Sequence, residues 1–110
     1  RLPMLYKFKC KATGDLIMLG PNGDAFLRAV GREPAPRGII ETRDMPAALV
    51  AIEHAIAADE ARRAEAEREA LDDGEALPPR EGVTPRQRLW PMVEMLRRAL
   101  AENQPIIWGA

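Results

Sequence analysis

Leu5-Tyr6-Lys7-Phe8-Lys9-Cys10-Lys11 alternates with period two. Tyr6, Phe8 and Cys10 fall on one side and Lys7, Lys9 and Lys11 on the other, the pattern of a strand buried on one face. Ala12-Thr13-Gly14-Asp15 supplies turn residues. Asp15 to Leu19 then either pairs back as a second strand or forms a first helical turn. The run Leu16-Ile17-Met18-Leu19 fits both, because four consecutive apolar residues carry no period. Two more short stretches read as strands: Ile39-Ile40, a β-branched pair, and Ile106-Ile107-Trp108, which could close a sheet edge.

Between these stretches the period changes from two to that of a helix. Gly20-Pro21-Asn22-Gly23 is a turn signal. Asp24 is expected to cap the helix that follows, with Phe26, Leu27 and Val30 on its inner side and Gly31 as its stop. Asp44 ahead of Met45-Pro46 combines a capping carboxylate with Pro in the first turn. Met45, Leu49, Ile52 and Ile56 then lie on one stripe. After Ala58 the stripe loses its large side chains, and Leu71 is the single large aliphatic residue between Asp59 and Asp73. Asp59 with Arg63, Arg63 with Glu67, and Arg68 with Asp72 stand four apart and support an exposed helix by about 0.2–0.5 kcal/mol each. A helix over 45–73 would be about 43 Å long, against a radius of gyration of about 13 Å for a chain of this size. Its far end should therefore overhang the body. Asp73 to Val83, with Pro78-Pro79 inside, reads as a mobile linker. Thr84-Pro85-Arg86-Gln87 is a capping box with Pro at the first helical position. Leu89, Val93, Leu96 and Leu100 continue it, while Pro91 predicts a kink or a separate short first turn. Trp90 and Trp108, with aliphatic neighbours, are expected to pack in the core or at a sheet edge.

The chain has 110 residues, 46% hydrophobic and 30% charged, which suits one globular domain. Sixteen Lys and Arg against 17 Asp and Glu leave a net charge of −1, which excludes a generally basic nucleic-acid coat. The charge is segregated: residues 1–43 carry +4, residues 44–75 carry −7 and residues 76–110 carry +2. A single Cys excludes an internal disulfide and a cysteine zinc cluster, and a single His excludes a site with two imidazoles. No apolar run reaches the roughly 18 residues of a membrane span, and no signal-peptide pattern opens the chain. A cytoplasmic setting is the expectation. Arg1 to Pro3 precede Met4 and are expected to be a vector remnant or an upstream extension, with Met4 as the start and 4–110 as the domain.

The reactive side chains do not converge. His54 lies off the main stripe and reads as a partly exposed helix residue without an acid–base partner. Cys10 reads as a small buried hydrophobe. The chain has no Ser, which disfavours nucleophilic hydrolysis. Gly20-Pro21-Asn22-Gly23-Asp24 lacks the lysine of a phosphate loop, and Asp24 would repel an anion. Glu60, Glu65, Glu67 and Glu69 have no apolar wall to raise a pKa. No catalytic, cofactor-binding or metal-ligating residue is therefore assigned, and no cofactor is expected. Lys7, Lys9 and Lys11, spaced nearly 7 Å apart on a strand, are the candidate nucleic-acid contact. Lysines on an outward strand face also serve solubility and edge protection, and no aromatics interleave with these for base stacking. Asp59, Arg63 and Glu67 are the candidate partner surface.

Several segments read together are familiar: Met4-Leu5-Tyr6-Lys7-Phe8-Lys9, Gly14-Asp15-Leu16-Ile17-Met18-Leu19-Gly20, Leu27-Arg28-Ala29-Val30-Gly31, Gly38-Ile39-Ile40, Asp44-Met45-Pro46-Ala47-Ala48-Leu49, Arg86-Gln87-Arg88-Leu89-Trp90-Pro91 and Ile107-Trp108-Gly109. From Met4 onward the chain resembles a family of short, uncharacterised proteobacterial proteins, a domain of unknown function. The resemblance implies a bacterial, soluble, cytoplasmic setting and carries no site residues.

The expected fold is α+β. A small mixed or antiparallel sheet from residues 4–11, 15–19, 38–41 and 105–108 packs on helices over about 22–31, 45–73 and 85–102. The long central helix should pair antiparallel with the C-terminal one, and 59–83 should form a mobile, charged helix end and loop. The expected function is a protein–protein interaction or self-association module without catalysis of its own and without a membrane. The alternatives are a nucleic-acid-binding accessory factor on the lysine row and, last, an enzyme subunit whose site a partner completes.

Overall fold

The computed structural model describes residues 3–80 and 82–109. In chain order the elements are β1 (Leu5–Phe8), β2 (Leu16–Leu19), α1 (Gly20–Ala29), β3 (Gly38–Ile40), a 3-10 turn (Thr42–Asp44), α2 (Met45–Asp72), α3 (Pro85–Ala101) and β4 (Ile106–Trp108). The fold is α+β, as the switch in hydrophobic period implies. The Asp15–Leu19 ambiguity resolves as a strand, β2. Arg1 and Leu2 of the expected extension lie outside the described residues.

The strands form two antiparallel ribbons. β1 pairs with β2 in the register Leu5–Leu19, Tyr6–Met18, Lys7–Ile17 and Phe8–Leu16. β3 pairs with β4 in the register Gly38–Trp108, Ile39–Ile107 and Ile40–Ile106. One bridge joins the ribbons: Lys9 N–H donates to the Ile107 carbonyl at 2.8 Å, and Ile107 N–H donates back at 2.9 Å. The spatial order is therefore β2-β1-β4-β3. β1 proper is shorter than the alternation suggests. Lys9 contributes the isolated bridge and Lys11 lies in the turn that Thr13 N–H closes on the Cys10 carbonyl, so the three lysines do not share one strand.

The inward row is a packed aromatic core. Phe8 meets Phe26 edge-on at 5.5 Å, Trp108 at 5.5 Å and the parallel ring of Tyr6 at 5.7 Å. Ile40, Met45, Ile52, Ile56, Met92, Leu96 and Ile106 complete it, and full burial of such side chains contributes about 1.5–3 kcal/mol each. α3 runs back along α2. Its start sits beside α2 through the Arg86–Glu60 pair, and just past its end Thr42 donates to Asn103 at 2.8 Å, immediately before α2 begins.

Three local expectations are corrected. Gly20-Pro21-Asn22-Gly23 is not a turn ahead of α1 but its first turn, with Leu19 as the cap position and no capping side chain. Asp24 is thus inside the helix, and its carboxylate accepts from the Tyr6 hydroxyl instead of capping. Asp44 does not cap α2 with its side chain. The 3-10 turn leads straight into that helix, and the carboxylate lies 3.9 Å from Arg32. Of the two readings of Pro91, the separate first turn is the one corrected, since α3 runs unbroken from Pro85 to Ala101. The carbonyl that Pro91 leaves free, that of Gln87, belongs to an exposed residue, where water can take the lost bond. The capping box holds as read: Thr84 Oγ1 accepts from Gln87 N–H at 3.1 Å and Gln87 Oε1 accepts from Thr84 N–H at 2.9 Å.

α2 does overhang. Its buried residues are Met45, Ala48, Ile52 and Ile56, all in its first half. The long axis of the molecule is 52 Å and its radius of gyration 16.1 Å, above the roughly 13 Å of a compact chain this size.

Candidate functional site

The outward side of the β1–β2 ribbon carries a cluster of exposed apolar side chains. Gly20 N–H donates to the Met4 carbonyl at 2.6 Å. This sets the phase of the antiparallel ladder: the pairs Tyr6–Met18 and Phe8–Leu16 exchange backbone bonds, and Leu5–Leu19 and Lys7–Ile17 do not. The second kind of pair brings side chains closest together. These are also the outward pairs, so Leu5 stands directly across from Leu19 and Ile17 across from Lys7. Exposure is 56% at Leu5, 60% at Ile17 and 62% at Leu19, and Ile39, 40% exposed, is on the same side of the sheet through its register with Ile107 and Lys9. Scattered apolar residues on a surface need no explanation, whereas a contiguous apolar patch marks a contact site.

A basic end adjoins the patch. Lys7 Nζ lies 3.6 Å from the Asp15 carboxylate. Lys9, Lys11 and Asp15 line one hollow of about 270 Å³ with Cys10, Gln104, Pro105 and Ile107. The structure thus gathers Lys9 and Lys11 at one rim and ties Lys7 to Asp15. Cys10 is buried, its sulfur accepting from Ala12 N–H at 3.4 Å.

The acidic arm is engaged with its own chain. Asp59 lies 3.2 Å from Arg80 and 3.9 Å from Arg62. Arg63 donates to Glu67 at 2.9 Å and to the Pro78 carbonyl at 2.7 Å. Arg86 forks onto Glu60 with two bonds of 3.1 Å, which holds the Glu60 carboxyl below its ordinary range and pushes the guanidinium up. Asp59, Arg63 and Glu67 therefore do come together, around a hollow shared with Arg80 and Arg86, and their charges fasten the α2–α3 loop.

Trp90 corrects another expectation. It is 40% exposed on the outside of α3, with the Arg97 guanidinium 5.2 Å from its ring. It stands off the stripe of Val93 and Leu96, so the helix turns it outward. Trp108 is buried as expected, and its indole N–H donates to the Ala35 carbonyl at 3.0 Å. His54 is exposed on α2. Among the described residues no three His, Cys, Asp or Glu side chains form a group that could hold a metal ion, and no helix is long and apolar enough to cross a membrane.

The sequence reading did not single out Leu5, Ile17 and Leu19, although the signal was present. Leu5 shares the parity of Lys7. A strand of four apolar residues must also turn two of them outward unless a second layer covers it.

Residues 4–108 match the family described as Domain of unknown function (DUF1840). The chain belongs to that family. No curated protein and no solved structure matches it. That description assigns no activity to its members.

Proposed function

We propose that this chain is a protein-interaction module that receives its partner on the outward face of the β1–β2 ribbon and has no catalysis of its own. The observation that carries this reading is the contiguity of Leu5, Ile17 and Leu19, held by strand register and each more than half exposed. Burying such side chains against a partner is favourable by roughly 25 cal/mol per Å² of apolar surface, whereas leaving them in water serves neither folding nor solubility. The different settings of the reactive groups support the non-catalytic part, with His54 exposed on α2 and Cys10 buried just past β1. A bacterial cytosol is the setting we assign, in keeping with a lone cysteine and 30% charged residues.

The test compares the native chain with Ile17→Glu and Leu19→Glu. Both positions are exposed, so thermal midpoints should stay within a few degrees. Affinity purification from the native host at low salt should lose its stoichiometric partner in both variants. An unchanged set of partners would overturn the reading. Retention on single-stranded oligonucleotides that falls steeply with salt, and that Lys9→Glu abolishes, would favour the lysines as a nucleic-acid contact instead.

A further inference from the structure

Resting on that reading, we infer that the occupant of the outward face is an acidic amphipathic helix belonging to a different protein. The size of the patch comes first. A stable interface buries about 800 Å² per partner and takes about 20–30 residues a side. Leu5, Ile17, Leu19 and Ile39 do not supply that alone, so the footprint must run on over Lys7, Lys9 and Lys11. Lys7 shares its charge with Asp15, while among the described residues Lys9 and Lys11 have no ion-pair partner. Covering them with an apolar or basic surface would strand two charges. The occupant must therefore bring carboxylates beside its apolar stripe.

The dimensions fit a helix. Neighbouring strands are about 4.8 Å apart, so a helix about 10–12 Å across covers two to three of them. Lys7 on β1 and Lys9 at the bridge just past it are two residues apart in extended backbone, nearly 7 Å, close to the rise of about 6 Å between residues i and i+4 of a helix. Helices already cover the inward face of the sheet, so a helix on the outward face would enclose it from both sides.

A second copy fits less well. A two-fold contact lays a patch on itself with its ends exchanged, and would set the lysines of one copy over the aliphatic side chains of the other, with the nearby Asp15 already paired to Lys7. The chain's own acidic arm has the charge, −5 between Asp59 and Glu75, but Leu71 is its single large aliphatic side chain. Nucleic acid would leave the aliphatic half of the face in water.

The experiment uses labelled alanine-based peptides of about 18 residues, roughly five turns, read by fluorescence anisotropy against the whole chain. One carries a leucine stripe flanked by Glu, one the same stripe flanked by Lys, and one the Glu flanks without leucines. The acidic leucine peptide should bind at least tenfold tighter than the other two. Ile17→Glu should weaken it at least tenfold, and Lys9→Glu should shift preference toward the Lys-flanked peptide. Equal binding of the two leucine peptides would overturn the inference. So would failure of the acidic one to bind at about 1 mM. If, in that case, the chain sediments as a dimer that Ile17→Glu dissociates, the face is a contact surface and its occupant is a second copy. If the chain is a monomer and Ile17→Glu keeps every native partner, the interaction reading itself falls.

Discussion

The Tyr6 hydroxyl donates a hydrogen bond to the Asp24 carboxylate, joining β1 to the middle of α1. Burial first, and then the bond to Asp24 and its negative charge, push the Tyr6 pKa up from 10.0 to about 12. The unfolded chain ionises this ring near its ordinary value of about 10. Between those values the unfolded state has lost the proton that the folded state keeps. The stabilisation is full below pH 10 and disappears as pH climbs through 12. Tyr6 is the single tyrosine, so tyrosinate absorbance reports it alone. The onset should come later in the native chain than in denaturant, and Tyr6→Phe should remove this part of the alkaline sensitivity. Coincident titrations in the two states would contradict the assignment.

Gly23 lies against the ring that makes this bond. A Cβ there would sit 2.1 Å from Tyr6 Cδ2. Alanine in a helix normally gains about 0.5–1 kcal/mol over glycine. Here the ring is fixed by stacking on Phe8, so overpacking should dominate, and Gly23→Ala should cost about 1–3 kcal/mol in chemical denaturation. Gly14→Ala, where nothing stands within 4 Å, should be close to neutral. Equal midpoints for the two variants would refute this.

The inner stripe of α2 offers a second contrast. Ile52 is fully buried and Leu71 is 69% exposed. Ile52→Ala should lose about 2–5 kcal/mol, and Leu71→Ala should stay within about 0.5 kcal/mol. Urea melts of both variants decide it. A loss under half a kcal/mol at Ile52 would place the core elsewhere.

At the start of α3, Thr84→Ala removes an acceptor that Gln87 N–H uses at 3.1 Å. The expected loss is about 0.5–2 kcal/mol, with Thr84→Ser near native because the hydroxyl remains. Thermal midpoints of the two variants measure it.

Much of this architecture was legible because local and global preferences agree. The parity of Tyr6 and Phe8, the stripe from Met45 to Ile56 and the box at Thr84 each name a face or an end by themselves. The misreadings share another cause. Gly20 and Gly23 look like turn residues, yet they are glycine because the backbone of Pro3 and Met4 and the ring of Tyr6 approach too closely for a Cβ. Close approach and a turn leave the same letter. Asp44 looks like a cap, but it is the last residue of the 3-10 turn, which removes the extended geometry that capping needs. At the candidate site, Lys7 and Lys9 were visible from alternation alone. The aliphatic half was not, because a run such as Leu16–Leu19 does not say whether a second layer covers its outer side.

The sheet closes through β1 and β4, which come from opposite ends of the domain and meet at the single bridge between Lys9 and Ile107. A growing chain can form the first hairpin and α1 early, but it has no way to join the two ribbons until synthesis has passed Trp108. Nascent chains stalled in the α2–α3 loop on the ribosome would therefore carry Phe8 and Phe26 with one wall of their surroundings missing, a state that invites chaperones.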